Sequence, residues 1–300
     1  LNQASQTGPP ATMHKKILVL GASSFVARSI AEEYSETRDS FPNLELKSVD
    51  RDVCDISDIN QLRECLEREL PHTVIHCGMS GEGRLLKPDT AQNFYENVLM
   101  QENLLALSHT YKKLILFGSG AEWDREKDII NSHEETPQIP FPNFYSLAKQ
   151  VNHQRAKGNP KVIYLRIFNV FGHLEKSNRF IKASILKTLE SKPIEIWGNT
   201  LFDFFYAGDL ARLIFHTVSL DTSEHNEYEE INTVYQNKFK FSEIADLINQ
   251  CSEKPTEIKV DFEGVNRQYT GDGSRLSMVS YGEIGLAEGI NKTYQKLKNG

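Results

Sequence analysis

The chain has little of several features that would place it in a special class of protein. Its 300 residues include only four cysteines, without a C-x-x-C pair, which suits free thiols in a reducing cytosol. The longest apolar runs, such as Lys16–Leu20, are far too short to cross a bilayer, and no charged start leads into an apolar signal segment. The net charge of −7 argues against general binding to nucleic acids or anionic membranes. The sequence therefore predicts a cytoplasmic protein with no membrane, nucleic-acid or metal partner.

What the sequence does contain is an alternation of short apolar runs with helical patterns. Five runs are the clearest strand candidates: Lys16–Leu20, Leu44–Val49, Thr73–Cys77, Leu114–Phe117 and Val162–Phe168. The first four are continuous rather than alternating, which predicts strands buried on both faces of a parallel sheet. The repeated order of strand and helix predicts an α/β fold with a Rossmann-like, doubly wound parallel sheet.

This rhythm weakens after about residue 172, which predicts a smaller C-terminal α/β lobe packed beside the nucleotide-binding domain. We expect that domain over residues 13–172, with added segments from about 200–235, and the smaller lobe mainly over residues 173–300. Residues 1–12 are expected to be a tag or disordered tail before a natural start at Met13. Helices are expected over Thr90–His109, Arg179–Leu189 and Phe241–Cys251, and near Ala287–Leu297.

The first strand runs into a turn that suits the phosphates of a dinucleotide. Gly21–Ala27 joins the strand to a helix, so backbone N–H groups at the helix N-terminus can meet a pyrophosphate. The glycine pattern is imperfect, since Ser24 stands where a second glycine is usual and Ala27 replaces the packing glycine. An ordinary strand-to-helix turn is the alternative. The cofactor contacts predicted in this turn are Gly21, Ser23, Ser24, Phe25 and Val26.

The ends of the next two strands extend the predicted cofactor site. Asp50 can accept hydrogen bonds from the ribose of NAD, whereas Arg51 can pair with the 2′-phosphate of NADP. We favour NADP(H) and keep NAD(H) as the alternative. His76, inside the third strand, is expected to be a satisfied core histidine. Further predicted cofactor contacts are Asp55, Ile56, Cys77, Gly78 and Met79.

Two Tyr-x-x-x-Lys pairs occur in the chain, so this spacing alone does not identify a catalytic pair. Tyr145 and Lys149 follow Ser119, which ends the fourth strand, where ligands bind in parallel sheets. On a helix the phenol and the ammonium share one face, and the ammonium lowers the phenol pKa. Tyr294 and Lys298, by contrast, belong to a lysine-rich last helix that we expect to be exposed.

The chemistry predicted for Ser119, Tyr145 and Lys149 is hydride transfer with a coupled proton. The tyrosine can exchange a proton with a substrate hydroxyl or carbonyl while a hydride moves to or from the cofactor, and the serine can hydrogen-bond the same oxygen. A serine hydrolase is disfavoured, because no G-x-S-x-G turn surrounds Ser119. These three residues are our predicted catalytic residues.

In the order and spacing of these elements the chain resembles the extended short-chain dehydrogenase/reductases that act on nucleotide sugars, the NAD-dependent epimerase/dehydratase family. The resemblance runs from about Lys15 to the C-terminus and includes "VIHCG", "RIFNVFG" and "FDFFYAGDL". It implies a Rossmann domain holding NAD(P), a small lobe holding a nucleoside-diphosphate sugar, and a homodimer. Further cofactor contacts implied are Asn97, Phe168 and Val170. Substrate contacts implied are Ser80, Gly120, Asn169, Arg179, Phe180 and Trp197.

Departures from the family pattern narrow the reaction. The 4,6-dehydratases carry an Asp-Glu pair after the catalytic Ser or Thr, where this chain has Gly120 and Ala121. GDP-fucose synthase, which the Arg51-Asp52 loop resembles, uses a cysteine and a histidine to epimerise, where this chain has Ala121 and Arg179. The remaining Ser, Tyr and Lys suffice to reduce a 4-keto sugar. We therefore predict an NAD(P)H-dependent reductase of a nucleoside-diphosphate-4-keto-6-deoxyhexose.

Some expectations and two alternatives stay open at this stage. The family arginine before Asp-Phe is replaced by Phe202, and Arg267 or Arg275 could substitute for it. Glu122 is expected to be a solvated loop residue, and core packing is expected for Trp197, Phe202, Phe204 and Phe205. The alternative functions are a nucleotide-sugar 4-epimerase with tightly bound NAD and a non-catalytic NAD(P)-binding regulatory protein.

Overall fold

The structure, a computed structural model, describes residues 14–81, 89–138, 143–220, 230–262 and 266–300. The predicted tail, residues 1–12, and Met13 lie outside the described residues. The strands are β1 Lys15–Leu20, β2 Leu44–Val49, β3 Thr73–His76, β4 Lys113–Ser119, β5 Ile129–Ser132, β6 Val162–Ile167, β7 Val170–Phe171, β8 Ile194–Trp197, β9 Phe205–Tyr206, β10 Glu230–Thr233, β11 Ile258–Phe262 and β12 Tyr269–Gly271. The helices are α1 Phe25–Thr37, α2 Ile59–Glu69, α3 Ala91–Ala106, α4 Phe144–Ala156, α5 Phe180–Leu189, α6 Ala207–Ser219, α7 Phe241–Gln250, α8 Ser274–Ser277 and α9 Leu286–Asn299.

The central sheet has six parallel strands in the order β10-β6-β4-β3-β1-β2, which confirms the predicted Rossmann-like α/β fold. Alternate side chains of the inner strands enter two separate cores. One core packs the sheet against α1 and α6, and the other packs it against α2, α3 and α4. Burial on both faces is why these strands are continuous apolar runs.

The prediction of a fully buried second strand is wrong. β2 lies at the edge of the sheet and pairs only with β1, so just its two end residues, Leu44 and Val49, are buried. Lys47 in its middle reaches outward, and its ammonium lies 2.7 Å from the Glu69 carboxylate. A charged outer strand protects a sheet edge from further pairing.

The order of strands reverses between β1 and β3, which places a crevice at their carboxyl ends. β2 follows β1 on one side of it, and β3 begins the other half of the sheet. In open α/β sheets ligands bind at this switch point. The turns after β1, β2 and β3 therefore meet where the cofactor contacts were predicted.

The C-terminal half adds a second layer of elements beside the sheet. β8 pairs with β11, β7 pairs with β9, and β12 pairs with β5 from the first half of the chain. α6 packs on α1, and β10 extends the central sheet next to β6. The boundaries of the two domains stay a prediction.

The prediction of an exposed last helix is wrong. α9 packs against α5 and α7, and Tyr294 is only 3% exposed. The apolar residues of this helix form one stripe, and the lysines that suggested exposure lie on its other side. None of the helices within the described ranges is long and apolar enough to span a membrane.

Candidate active site

The turn after β1 is shaped by close contact with the turn after β3. Gly21 has φ +86°, and a Cβ built on it would lie 2.7 Å from the Gly78 amide nitrogen. Only glycine fits this approach without strain. Ser24 then caps α1, because its hydroxyl accepts a hydrogen bond from the Ala27 N–H at 3.2 Å. The serine that departs from the glycine pattern thus begins the helix.

A cavity of about 450 Å³ lies at this switch point. Its wall combines the turns after β1, β2 and β3 with part of α3 and with Lys176. Ten predicted cofactor contacts line it together: Gly21, Ser23, Ser24, Asp50, Arg51, Asp55, Ile56, Cys77, Gly78 and Met79. Lining residues that were not predicted as cofactor contacts are Cys54, Ser57, Ser80, Gly81, Glu96, Met100 and Lys176.

Charged groups from the end of β2 stand at the rim of this cavity. One Asp50 carboxylate oxygen accepts hydrogen bonds from the Ser23 hydroxyl at 3.3 Å and the Arg51 N–H at 3.0 Å. The Arg51 guanidinium lies 3.1 Å from the Asp55 carboxylate, and its side chain is 74% exposed. An acidic group and an exposed cation are therefore both available to an adenosine ribose.

Five other predicted cofactor contacts do not line the large cavity. Phe25 and Val26 lie in the first turn of α1, and Val170 pairs with Phe205. Phe168 is buried, with its ring centroid 4.9 Å from that of Tyr269. Asn97 lines a second, smaller cavity of about 30 Å³, and Gly78 and Met79 line both this cavity and the large one.

Tyr145 and Lys149 line this small cavity, on the first turns of α4. Asn143 begins the helix by accepting the Ser146 N–H at 2.8 Å. The Lys149 ammonium donates to the Phe117 carbonyl at 2.7 Å and lies 5.9 Å from the centroid of the Tyr145 ring. Burial lowers the pKa of Lys149, and the negative charge of Glu122 opposes that shift.

His76 also faces the small cavity, and its predicted role as a satisfied core histidine is wrong. Its Nδ1 atom has no hydrogen-bond partner among the described residues. Burial, helped by the nearby Lys149 charge, lowers the pKa of His76 to about 3, so the ring is neutral. A buried polar atom without a partner, on a residue that lines a cavity, is the kind of group that a ligand can satisfy.

Ser119 ends β4 and is 6% exposed. Its hydroxyl accepts a hydrogen bond from the Ala121 N–H at 3.1 Å. Its own N–H donates to the Glu122 carboxylate at 2.8 Å. The strand end and the following single turn of helix therefore fix the position of the predicted catalytic serine.

Glu122 is fully buried, so its prediction as a solvated loop residue is wrong. One carboxylate oxygen accepts from Ser119 N–H and from the Tyr164 hydroxyl, both at 2.8 Å. The other accepts from Arg166 at 2.9 Å and from Gln138 at 2.6 Å. The buried arginine from β6 makes this burial tolerable, because it supplies both a counter-charge and a donor.

The predicted substrate contacts are only partly brought together. Asn169 accepts a hydrogen bond from Arg179 through its side chain and holds the Phe205 N–H at 2.8 Å through its carbonyl. The ring centroid of Phe180 lies 4.7 Å from that of Phe241 in an aromatic cluster. Ser80 lies in the large cavity, and Gly120 follows Ser119.

Trp197 is 59% exposed, so the expectation that it packs in the core is wrong. It ends β8, and alternate residues of that strand are buried and exposed, with Trp197 on the outer face. Phe204 and Phe205 are buried as expected, and the partly buried Phe202 packs against the core.

The cation beside Phe202 is neither of the two predicted arginines. Arg275 contacts Glu135 at 2.5 Å, and Arg267 is exposed. Arg125 lies over the Phe202 ring instead, with 5.5 Å between the guanidinium carbon and the ring centroid. No local pattern marked Arg125, because the contact joins segments that are far apart in the sequence.

The described cavities fit a nicotinamide dinucleotide. The Gly21 turn offers close backbone approach and a helix N-terminus, and His76, Tyr145 and Lys149 line the small cavity together. A Rossmann-like sheet with these features defines an oxidoreductase that depends on NAD(P).

A match to a protein-family model over residues 17–232 shows that this chain belongs to the NAD dependent epimerase/dehydratase family. The resemblance to the extended short-chain dehydrogenase/reductases is thereby confirmed. A search of curated proteins gave no match.

Solved structures of similar fold cover nearly the whole chain. A GDP-L-fucose synthetase from Naegleria fowleri bound to NADP is 17% identical, with 100% of this chain and 97% of that chain covered and a TM-score of 0.74. A GDP-mannoheptose C4 reductase from Campylobacter jejuni with NADP bound is 20% identical. The match covers 95% of this chain and 98% of that chain, with a TM-score of 0.70. A UDP-glucose 4-epimerase from Thermus thermophilus in complex with NAD is 17% identical. The match covers 93% of this chain and 98% of that chain, with a TM-score of 0.71.

Proposed function

We propose that this protein is an NADPH-dependent reductase that converts a nucleoside-diphosphate-4-keto-6-deoxyhexose to the 6-deoxyhexose. The observation that carries the proposal is the placement of Tyr145 and Lys149 on a small cavity that shares Gly78 and Met79 with the large switch-point cavity, with Ser119 at the carboxyl end of β4. The similarity to a GDP-L-fucose synthetase and to a GDP-mannoheptose C4 reductase supports a nucleotide sugar as the substrate.

Each catalytic side chain has a distinct task in this reaction. A nicotinamide cofactor, when bound, would supply the hydride for carbon 4 of the sugar. Tyr145 gives a proton to the carbonyl oxygen, and Ser119 donates a hydrogen bond to the same oxygen. The Lys149 ammonium, held by the Phe117 carbonyl at 2.7 Å, favours the phenolate that Tyr145 becomes. Asn169 and Arg179 offer an amide and a cation to the diphosphate.

NADP is the proposed cofactor because Arg51 stands exposed at the rim of the large cavity. Its guanidinium can pair with a 2′-phosphate, which NAD lacks. We expect Arg51→Ala to raise the KM for NADPH about tenfold and to leave the KM for NADH unchanged. An equal rise for both cofactors would remove the basis for preferring NADP.

The homodimer also belongs to this proposal. Its test is size-exclusion chromatography with light scattering on the purified chain, where a mass of one subunit would contradict it.

The reductase is tested by mixing the purified protein with NADPH and each of the GDP-, dTDP-, CDP- and UDP-4-keto-6-deoxyhexoses. We expect stoichiometric NADPH oxidation with at least one of them. No oxidation with any of the four, together with turnover of a 4-hydroxy sugar, would contradict the reductase.

A nucleotide-sugar 4-epimerase is the second candidate, supported by the fold shared with the Thermus thermophilus UDP-glucose 4-epimerase. An epimerase would be purified with bound NAD and would interconvert its sugars without net consumption of a cofactor. A non-catalytic regulatory protein is the third reading, and the complete Ser119, Tyr145 and Lys149 set argues against it. Cofactor binding without turnover of any nucleotide sugar would favour it.

A further inference from the structure

The segment between β7 and α5, residues 172–179, passes beside the start of α1. A Cβ built on Gly172 would lie 3.5 Å from the ring of Phe25, the first residue of α1. The Arg28 guanidinium, which comes from the residue three positions further along that helix, donates to the Leu174 carbonyl at 3.0 Å. This part of the C-terminal half is therefore attached to the N-terminal turn of the helix that begins after Gly21.

Cationic side chains hold the main chain of this segment in place. The Lys182 ammonium donates to the carbonyls of His173 and Glu175, at 2.6 Å and 2.8 Å, on either side of the Leu174 carbonyl that α1 holds. The Lys176 carbonyl accepts a main-chain N–H from the residue before α5 at 3.1 Å. Four consecutive carbonyls thus have donors, which a backbone outside helices and strands needs. The point at which the Lys176 side chain leaves the segment is therefore defined.

Lys176 lines the large cavity and is exposed to solvent. Its place in the wall differs from that of Arg51, the other cation among the described lining residues, which lies at the end of β2 and 3.1 Å from Asp55. It differs also from that of Lys149, which lines the small cavity. Lys176 belongs instead to the segment beside the start of α1.

The start of α1 is where a bound dinucleotide would have its phosphates. A molecule with its adenosine at Asp50 and its nicotinamide at Tyr145 spans the two cavities, and its pyrophosphate then meets the Gly21 turn and the helix N-terminus. Lys176 reaches the same cavity from the opposite segment. The pyrophosphate would therefore lie between main-chain N–H groups of α1 and an ammonium from the C-terminal half.

The charges of the large cavity make this cation important. Its described wall carries the carboxylates of Asp50, Asp55 and Glu96 against the cations of Arg51 and Lys176. A pyrophosphate is itself a dianion, and a helix N-terminus offers only about half a positive charge. Without Lys176, the phosphates would enter a wall whose carboxylates outnumber its cations even more strongly, which would weaken binding.

We propose that Lys176 is a cofactor-binding residue whose ammonium pairs with the pyrophosphate of NAD(P), opposite the N–H groups at the start of α1. A lysine suits this role, because its ammonium is a point charge on a flexible stem and can turn to either phosphate. The segment continues to Arg179, which is proposed above for the sugar diphosphate, so one segment would contact both ligands. This inference rests on the proposed cofactor and does not depend on the proposed sugar.

Isothermal titration calorimetry tests the proposal with Lys176→Met, which keeps the length of the side chain and removes its charge. The ligands are NADPH, NADH and ADP-ribose, which contain the pyrophosphate, and adenosine 2′-monophosphate, which lacks it. We expect Lys176→Met to raise the Kd of the first three about tenfold and to leave that of adenosine 2′-monophosphate unchanged. Lys176→Arg keeps a cation and should restore most of the lost affinity.

Salt and a matched control separate a charge contact from damage to the segment. Raising the KCl concentration from about 50 mM to about 500 mM should shrink the difference in Kd between the wild type and Lys176→Met, since salt screens an exposed ion pair. Lys192→Met removes another exposed lysine of the C-terminal half, one that does not line the described cavities. It should leave all four Kd values unchanged.

Three results would overturn the proposal. One is an unchanged Kd for ADP-ribose in Lys176→Met, and another is a wild type that binds none of the four ligands. The third is a loss confined to NADPH and adenosine 2′-monophosphate, which would assign the lysine to the 2′-phosphate. An equal loss for all four ligands would indicate general damage and contradict a pyrophosphate contact too. A wild type that binds NADPH but reduces no keto sugar would refute the reductase and leave this inference standing.

Discussion

Two Tyr-x-x-x-Lys pairs in this chain have the same spacing and opposite surroundings. In α4, Tyr145 and Lys149 line a cavity, and the lysine ammonium donates to a main-chain carbonyl at 2.7 Å. In α9, Tyr294 is buried at 3% exposure, whereas the Lys298 side chain is 46% exposed and lies 3.5 Å from Glu253.

The difference shows that helical spacing places two side chains on one face but does not decide what that face meets. Of the two phenols, that of Tyr145 lines one of the described cavities, and the ammonium of Lys149 is held nearby in an environment that lowers its pKa. Burial and accessible space therefore separate a catalytic pair from a structural tyrosine and a surface lysine.

The strongest test of the difference between the two pairs is to remove the phenol hydroxyl of each tyrosine in turn. We expect Tyr145→Phe to lower kcat by about 10³- to 10⁴-fold, because the proton donor is lost. Tyr294→Phe should keep the wild-type kcat. NADPH oxidation with a 4-keto sugar measures both, and the dissociation constant for NADPH serves as a control for folding. Equal activity in Tyr145→Phe and the wild type would remove the catalytic assignment.

Replacing each lysine by methionine should have the next largest effect. Lys149→Met should lower kcat about 100-fold, since the phenolate loses the charge that stabilises it. Lys298→Met removes only an exposed charge and should leave kcat unchanged. If both variants lost the same fraction of activity, the difference in surroundings would not explain the chemistry.

Glu122→Gln sharpens the comparison by removing a negative charge near Lys149 and leaving Tyr145 and Lys149 themselves unchanged. The carboxylate raises the pKa of Lys149, so its removal should let burial lower that pKa further. The alkaline limb of the kcat profile should therefore move to lower pH. We also expect a loss of about 3 kcal/mol in the free energy of unfolding, because Arg166 loses a buried partner.

The matched control is Glu126→Gln, which removes an exposed carboxylate from the same loop. It should change neither the pH profile nor the free energy of unfolding. An unchanged alkaline limb in Glu122→Gln would show that Glu122 does not act on Lys149.

The last prediction concerns stability rather than activity and tests the role of burial away from the catalytic pair. Burial raises the pKa of Glu175 to about 8, and one of its carboxylate oxygens has no partner among the described residues. Because the folded-state pKa lies above the unfolded value of 4.5, the wild type loses stability as pH rises from about 4.5 to 8. Glu175→Gln cannot ionise and should avoid that loss.

Thermal unfolding measured from pH 5 to pH 9 checks this prediction. The Tm of Glu175→Gln should exceed that of the wild type by an amount that grows up to about pH 8, on the order of 2 °C per kcal/mol. Glu190→Gln, at an exposed site, should show a difference that does not change with pH. A constant difference for Glu175→Gln would mean that the carboxyl is not held protonated by the fold.

The sequence was sufficient for features that depend on neighbours along the chain. Continuous apolar runs located β1, β3, β4 and β6, and the end of β4 located Ser119. The Gly21 turn was recognisable because strand, turn and helix are consecutive. In these cases the residues that decide the structure are within a few positions of one another.

The failures arise where distant segments meet. Glu122 was assigned to solvent because nothing in its own loop reveals Arg166, which reaches it from β6. The contacts of Tyr269 and Arg125 were missed for the same reason. Gly120 gave only an indirect sign of them: it is a glycine because a side chain there would collide with the Tyr269 hydroxyl. Trp197 was misplaced because a large aromatic residue favours burial, whereas its strand alternates and leaves it outside.

The most direct test of the central claim is to follow the hydride itself. The protein is incubated with a nucleoside-diphosphate-4-keto-6-deoxyhexose and NADPH that carries deuterium at carbon 4 of the nicotinamide, and the sugar product is analysed by NMR. The account predicts one deuterium at carbon 4 of the sugar for each NADPH consumed, and almost no product from Tyr145→Phe. A sugar product without deuterium, or one formed without net loss of NADPH, would contradict it.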